Sequence, residues 1–199
     1  MDQVMLIANP MAGSVSPRHK EVIVNALRAD FKLEIADTEG RNHASELARD
    51  AVDRGFDAVL AFGGDGTINE VAQGVIGSTA ALGVLPGGTT NVLARSLGMP
   101  TDPVDATSYL AHRLRAGQTQ RINVGKVNNR FFLFSTGMGL DAEVVRRVEE
   151  DLHSKGRNRE WVFIKKLARA VLLDYARRKP QMTFTPTAGE AIRTVTTVC

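Results

Sequence analysis

The stretch Ala58-Val59-Leu60-Ala61-Phe62-Gly63-Gly64-Asp65-Gly66-Thr67 decides the fold of this chain. Five consecutive apolar residues make the pattern of a strand buried on both faces, as in a parallel sheet. Glycines and an aspartate then break it, and apolar residues return at helical spacing over 67–76. Strand, glycine turn and helix in that order are half of a βαβ unit. The order repeats at once: Ala81-Leu82-Gly83-Val84-Leu85, then Pro86-Gly87-Gly88-Thr89-Thr90-Asn91, then a short helix over about 91–97.

Upstream the same alternation holds. Val4-Met5-Leu6-Ile7-Ala8 is another continuous apolar run, broken by Asn9-Pro10-Met11-Ala12-Gly13-Ser14. Ser16-Pro17 supplies an N-cap with proline at the first helical position, and Val22, Ile23, Ala26 and Leu27 follow at helical spacing. Residues 31–35 alternate like a strand, and Asn42 is placed to cap a helix carrying Ala44, Leu47, Ala48, Ala51 and Val52 on one face. Asp102 and Pro103 open a last helix that reaches Arg115. The result is βαβαβαβα, which predicts an α/β domain over 1–117: a parallel sheet flanked by helices.

The pattern changes from residue 118. Residues 120–127, the pair Asn128-Asn129 and residues 130–135 read as an antiparallel hairpin with a two-residue turn. Helical stretches over 141–152 and 161–178 follow, then strand-like runs over 181–187 and 191–198. A β-rich second domain is expected over 118–199, incomplete in this chain.

Composition excludes several classes. The 199 residues are 43% hydrophobic and 24% charged, which is typical of a folded protein and not of a disordered chain. One cysteine, Cys199, leaves no internal disulfide and fits a reducing, cytoplasmic setting. No apolar run reaches the ~18 residues of an ordinary transmembrane helix. Charge is uneven: residues 1–120 hold 10 Lys+Arg against 14 Asp+Glu, and residues 121–199 hold 15 against 8. That asymmetry points to an anionic partner for the second half or, more plainly, to solvated helix faces.

Nine of the 18 glycines lie between Gly63 and Gly98, across two strand-to-helix junctions. Loops at the carboxyl ends of parallel strands form the ligand crevice. Glycine admits positive φ and removes the Cβ that would hold a ligand off, while the amides of a helix N-terminus face outward. Phosphate is the ligand such loops suit. Asp65 among them would repel a phosphate unless a divalent cation lies between or the carboxylate acts on the acceptor. Its plainer role is to cap the following helix.

Other phosphate motifs fail. There is no GxxxxGK[ST] loop, and Asn69 stands where the third glycine of a dinucleotide fingerprint belongs. His19, His43, His112 and His153 lack metal-binding spacing, no serine sits in a GxSxG elbow, and no nucleic-acid-binding signature is present.

Three motifs carry a resemblance: Asn9-Pro10-x-Ala12-Gly13, Gly63-Gly64-Asp65-Gly66-Thr67-Ile68-Asn69-Glu70 and Leu85-Pro86-x-Gly88-Thr89-x-Asn91. Together, and in this order, they resemble the diacylglycerol kinase catalytic-domain family, which includes bacterial lipid kinases and sphingosine and ceramide kinases. Asn123-Val124-Gly125, Asn129-Arg130-Phe131-Phe132 and Ser135-Thr136-Gly137-Met138-Gly139 continue it more loosely. The resemblance implies a fold like the N-terminal domain of NAD and diacylglycerol kinases. It also implies an ATP- and Mg2+-dependent transfer of the γ-phosphoryl group to a lipid hydroxyl of diacylglycerol or sphingoid type.

Carried over, nucleotide contacts fall on Asn9, Thr38, Gly63, Gly64, Asp65, Gly66, Thr67, Ile68, Asn69 and Thr89, with Asp65 as the catalytic and magnesium-side carboxylate. Asn9 and Thr38 follow the first two strands; both are also ordinary turn residues, and Glu70 reads equally as a first-turn acid. Many members place an aspartate where this chain has Val92, which weakens the carry-over of metal binding. The family's general base lies in a later segment and is expected to be absent from this chain.

Arg146-Arg147, Lys165-Lys166 and Arg177-Arg178-Lys179, with Trp161, Phe163 and Tyr175 near the latter two, suit peripheral contact with an anionic membrane or the solvated face of a core helix. A lipid alcohol is the expected substrate, with a second copy of the chain admitted as a partner. Two other functions share the glycine core. One is a NAD-kinase-like phosphotransferase acting on a soluble nucleotide, and the other is a non-catalytic nucleotide-binding module.

Overall fold

The computed structural model describes residues 1–139, 142, 182–184, 192–194 and 196–198. Four strands, β1 (Gln3–Ala8), β2 (Lys32–Asp37), β3 (Ala58–Gly63) and β4 (Ala81–Pro86), form one sheet in the order β2-β1-β3-β4, and every pairing is parallel. The helices between and after them are α1 (Pro17–Arg28), α2 (His43–Asp53), α3 (Asp65–Val75), α4 (Val92–Ser96) and α5 (Pro103–Arg115). The expected parallel α/β sheet flanked by helices is what forms.

Strand alternation explains the two-sided core. Val4, Leu6 and Ala8 face one side with Leu60 and Phe62, against Ile23, Leu27, Leu110 and Leu114 of α1 and α5. Met5 and Ile7 face the other with Val59 and Ala61, against Ala48, Ala51, Ile68 and Val71 of α2 and α3. Crossovers between parallel strands are right-handed. The chain steps one way from β1 to β2 and the opposite way afterwards, so α1 and the pair α2 and α3 lie on opposite faces.

The caps show where local chemistry sets the boundaries. The Ser16 hydroxyl accepts from His19 N–H at 3.1 Å, and Asp102 accepts from Val104 and Asp105 N–H at 2.8 and 3.1 Å. Asn42 stands at the expected cap position of α2 but makes no side-chain cap bond; its left-handed backbone, φ 66°, turns the chain into the helix instead. Helix α3 begins at Asp65, two residues before the expected start, because extended Gly64 is already its N-cap. Asn69 and Glu70 therefore lie in the second turn.

At the amino edge of the sheet, Asp57 Oδ2 accepts from Asp2 N–H at 2.6 Å and Gln3 N–H at 3.0 Å, tying the start of β1 to the start of β3. These two backbone donors hold the Asp57 carboxyl below its ordinary value.

The hairpin forms as β5 (Gly125–Val127) and β6 (Arg130–Phe132), shorter than expected, with Asn128 at φ 53° in the turn. The first compact unit runs from Met1 to Phe134, past the expected division at 117/118, because the hairpin packs on α3. The second unit covers 135–199. Within it, β7 (Gly137–Gly139) pairs antiparallel with β10 (Thr196–Val198), and β8 (Met182–Phe184) with β9 (Ile192–Thr194). The helices expected over 141–152 and 161–178, and with them the basic clusters, lie outside the described residues. Among the described residues no helix is long and apolar enough to cross a membrane.

Candidate functional site

The sheet order creates a crevice. β1 and β3 are neighbours, yet the chain leaves their carboxyl ends toward opposite sides, which is the topological switch point where α/β sheets bind ligands. Asn9 sits at that point. Its N–H donates to Phe62 O at 2.9 Å, its Oδ1 accepts from Met11 N–H at 3.0 Å, and its Nδ2 donates to Thr67 Oγ1 at 3.0 Å. Thr38 N–H donates to Ala8 O at 2.9 Å, which sets the end of β2 beside the end of β1. Asn9, Thr38 and Thr67 thus meet on one rim.

Three loops are laced together below them. Ser14 N–H donates to Gly87 O at 2.9 Å, and Gly87 N–H donates to Gly63 O at 2.8 Å. The glycines follow from this lacing. A Cβ on Gly87 would stand 2.9 Å from Gly63 Cα, and one on Gly88 would stand 2.8 Å from Gly64 Cα, closer than side chains tolerate. None of Gly63, Gly64, Gly66, Gly87 and Gly88 has positive φ. Of the two reasons offered for these glycines, positive φ is corrected and the missing Cβ stands: at Gly87 and Gly88 it lets two loops touch backbone to backbone, and at Gly63 it leaves room for the Thr67 side chain, 2.7 Å from where a Cβ would be. Gly66 differs. It is exposed, and a Cβ there would meet nothing within 4 Å.

The left-handed residue of the second loop is Asn91, φ 47°. Its side chain clamps one residue, accepting from Gly88 N–H and donating to Gly88 O, both at 2.9 Å. Asn91 shapes the loop although it was not among the expected site residues. The signal for it was in the sequence: an asparagine three residues after a glycine, a residue type that tolerates this backbone and bonds its own loop.

Asp65 occupies the first position of α3 with its carboxylate turned to the second loop. Oδ2 accepts from Thr90 Oγ1 at 2.9 Å, and Oδ1 accepts from Leu93 N–H in a longer contact of 3.4 Å. The carboxylate therefore braces the start of α4 and not its own helix, which corrects the plain capping role. Thr90 makes this bond, while Thr89 is exposed beside it.

No side chain caps α3, whose first intrahelical bond runs from Ile68 N–H to Gly64 O at 3.1 Å. The amides of Asp65, Gly66 and Thr67 precede that bond and face out of the positive helix end. Ile68 itself is fully buried in the core, with its amide spent inside the helix. Asn69 stands one turn on, its Oδ1 buried without a hydrogen-bond partner. Glu70 offers its carbonyl to the Ser45 hydroxyl at 2.8 Å. Among the described residues no three His, Cys, Asp or Glu side chains gather as a metal-binding group.

The family model for the diacylglycerol kinase catalytic domain matches residues 3–127. A diacylglycerol kinase of Bacillus subtilis (strain 168) is 33% identical over 156 residues, covering 76% of this chain and 50% of that protein. One from Staphylococcus epidermidis is 35% identical over 137 residues, covering 64% of this chain and 40% of the relative. A crystal structure of a diacylglycerol kinase from Bacillus anthracis superposes with a TM-score of 0.63 at 30% identity, over 74% of this chain and 50% of that one. The chain spans about half the length of these relatives. With its parallel sheet, laced glycine loops and matched residues 3–127, the chain belongs to the diacylglycerol kinase catalytic-domain family.

Proposed function

We propose that this chain provides the nucleotide side of an ATP-dependent lipid kinase that transfers the γ-phosphoryl group to a lipid hydroxyl. The observation that carries the reading is the uncapped start of α3 at the switch point: three outward amides, beside a glycine whose missing Cβ nothing in the fold requires. Phosphate oxygens match those amides, and the exposed face of Gly66 admits close approach. Asn9 and Thr38 line the rim, Thr67 is fixed by Asn9, and Thr89 lies exposed for the nucleotide.

The donor set fits a magnesium ion held chiefly by phosphates and water. Mg2+ commonly takes only one or two protein carboxylates, and Asp65 keeps free lone pairs on both oxygens beyond its two bonds. Asp65 would hold it, and the ion would supply neutralisation of the phosphate charge. The rest falls to the chain itself: the amides of Asp65, Gly66 and Thr67 orient the phosphates, and Asn9, Asn91 and Thr90 keep the three loops in register. We assign no base among the described residues. Lipid as acceptor places the protein at a cytoplasmic membrane surface, in peripheral contact.

Asp65→Asn is the direct test. Asparagine keeps an acceptor for Thr90, so the melting temperature should hold, whereas lipid phosphorylation by the complete protein should fall about 100-fold. Unchanged turnover removes Asp65 from the mechanism. Radiolabel from ATP that goes to NAD and not to diacylglycerol would overturn the lipid reading.

A further inference from the structure

One side chain of α3 hydrogen-bonds the hairpin backbone on both sides of a residue. In an antiparallel pair closed by a two-residue turn, the residues flanking the turn exchange both ladder bonds, and the next pair points its backbone groups outward. Here the turn is Asn128-Asn129, Val127 pairs with Arg130, and Lys126 pairs with Phe131. Phe131 therefore turns its N–H and C=O away from β5, as an open strand edge does.

Gln73 of α3 fills that edge. Its Oε1 accepts from Phe131 N–H at 2.9 Å and its Nε2 donates to Phe131 O at 3.0 Å, so a side-chain amide stands in for a neighbouring peptide. The second Nε2 proton goes to Asn69 O at 2.9 Å. Both partners of Nε2 are carbonyls and the partner of Oε1 is a donor, so the amide has one workable orientation. It is partly buried, and Lys126 lies over the Phe131 ring at 5.1 Å on the same segment.

Helix α3 is closely packed beside this clasp. Gly74, next to Gln73, lets α2 approach so closely that a Cβ would stand 2.6 Å from Ala48 Cβ and 2.8 Å from Arg49 N. Asp65, Asn69 and Gln73 are spaced four residues apart, so they share one stripe of α3, running from the glycine loops to the hairpin.

We propose that Gln73 is a positioning residue, pinning the hairpin to the helix whose N-terminus holds the phosphates. On the lipid-kinase reading above, on which the functional half of this rests, the clasp fixes the hairpin through which the chain leaves the nucleotide side for the residues expected to meet the acceptor. Both protons of the Gln73 amide are spent on Phe131 O and Asn69 O.

The test uses Gln73→Met and Gln73→Glu in the full chain, with hydrogen exchange at Phe131, ATP binding by calorimetry, and turnover on phosphatidylcholine vesicles carrying diacylglycerol. In Gln73→Met, Phe131 exchange should rise about tenfold or more from loss of the paired bonds. ATP affinity should stay within about twofold, while KM for diacylglycerol rises about tenfold and kcat changes less. Gln73→Glu should behave like Gln73→Met at alkaline pH, where a carboxylate faces two carbonyls. Toward acid it should recover protection relative to the wild type at the same pH, because a protonated carboxyl donates and accepts as the amide does.

Unchanged Phe131 exchange in Gln73→Met overturns the clasp, and so does a parallel loss of ATP affinity, which would mean general damage to α3. A wild-type protein assayed with the base-bearing segment present that protects Phe131 and binds ATP but phosphorylates no lipid would instead defeat the lipid reading, leaving the clasp to the exchange result.

Discussion

Gly66 and Gly88 read alike in the sequence, each in a glycine loop after a strand, and differ in what surrounds them. Gly88 lies against Gly64 Cα, so Gly88→Ala must force the two loops apart. We expect it to cost about 2 kcal/mol, seen as a lower denaturant midpoint. Gly66 has open space and sits in the first turn of α3, where alanine is the better helix former. Gly66→Ala should leave stability unchanged or raise it by up to about 1 kcal/mol, while ATP affinity falls about tenfold. Equal stability losses in both variants would remove the distinction, and unchanged ATP binding in Gly66→Ala would take phosphate away from this glycine. Sequence reading found both loops and most of the rim. It gave the glycines the same reasons throughout, because the reason at Gly87 and Gly88 is a contact between loops about 25 residues apart, invisible along the chain. Thr90 is hidden for the same cause, since only folding brings it to Asp65, whereas Asn91 holds Gly88 three residues away and is legible as a local loop clamp.

At the scale of elements, local chemistry was legible where a residue acts on its own neighbours. Ser16 and Asp102 bond amides two or three positions away, and the helices start where those residues stand. Asn42 marks its helix start by backbone conformation alone, which composition does not distinguish from a side-chain cap. The packing of α2 on α3 was legible only as periodicity, for its tightest point is a glycine. Gly74 lies between Ala48 Cβ at 2.6 Å and Ser45 O at 2.9 Å from where its own Cβ would be. Helix propensity favours Gly74→Ala by about 1 kcal/mol, and packing opposes it by up to about 3 kcal/mol. Packing should win: the expected outcome is a lower melting temperature. A rise would mean that α2 gives way freely, and then α3 would not be the rigid bar that the Gln73 clasp needs.

For the whole molecule, strict alternation of strands and helices was enough to foresee a parallel sheet, but not its order. That order follows from β1 pairing on both sides, and it alone puts the Asn9 loop beside the Gly63 loop at a switch point. The same central pair is fastened at its other end by Asp57, whose carboxylate accepts from Asp2 and Gln3 N–H across the start of β1 and β3. Those backbone donors lower its folded pKa. A carboxyl lowered on folding contributes stability that is fully present above its unfolded value, about 3.9, and lost as pH falls through the folded one. Asp57 is exposed, so solvent screening keeps the contribution under about 1 kcal/mol. Asp57→Asn keeps an acceptor and removes the charge. In urea unfolding at neutral pH the wild type should be the more stable of the two, and the gap should close below about pH 4 as Asp57 takes up its proton. A gap that stays constant down to pH 2 would mean that the bonds to Asp2 and Gln3 need no charge. In that case the β1–β3 pair, and the crevice at its far end, would owe nothing to this carboxylate's ionisation.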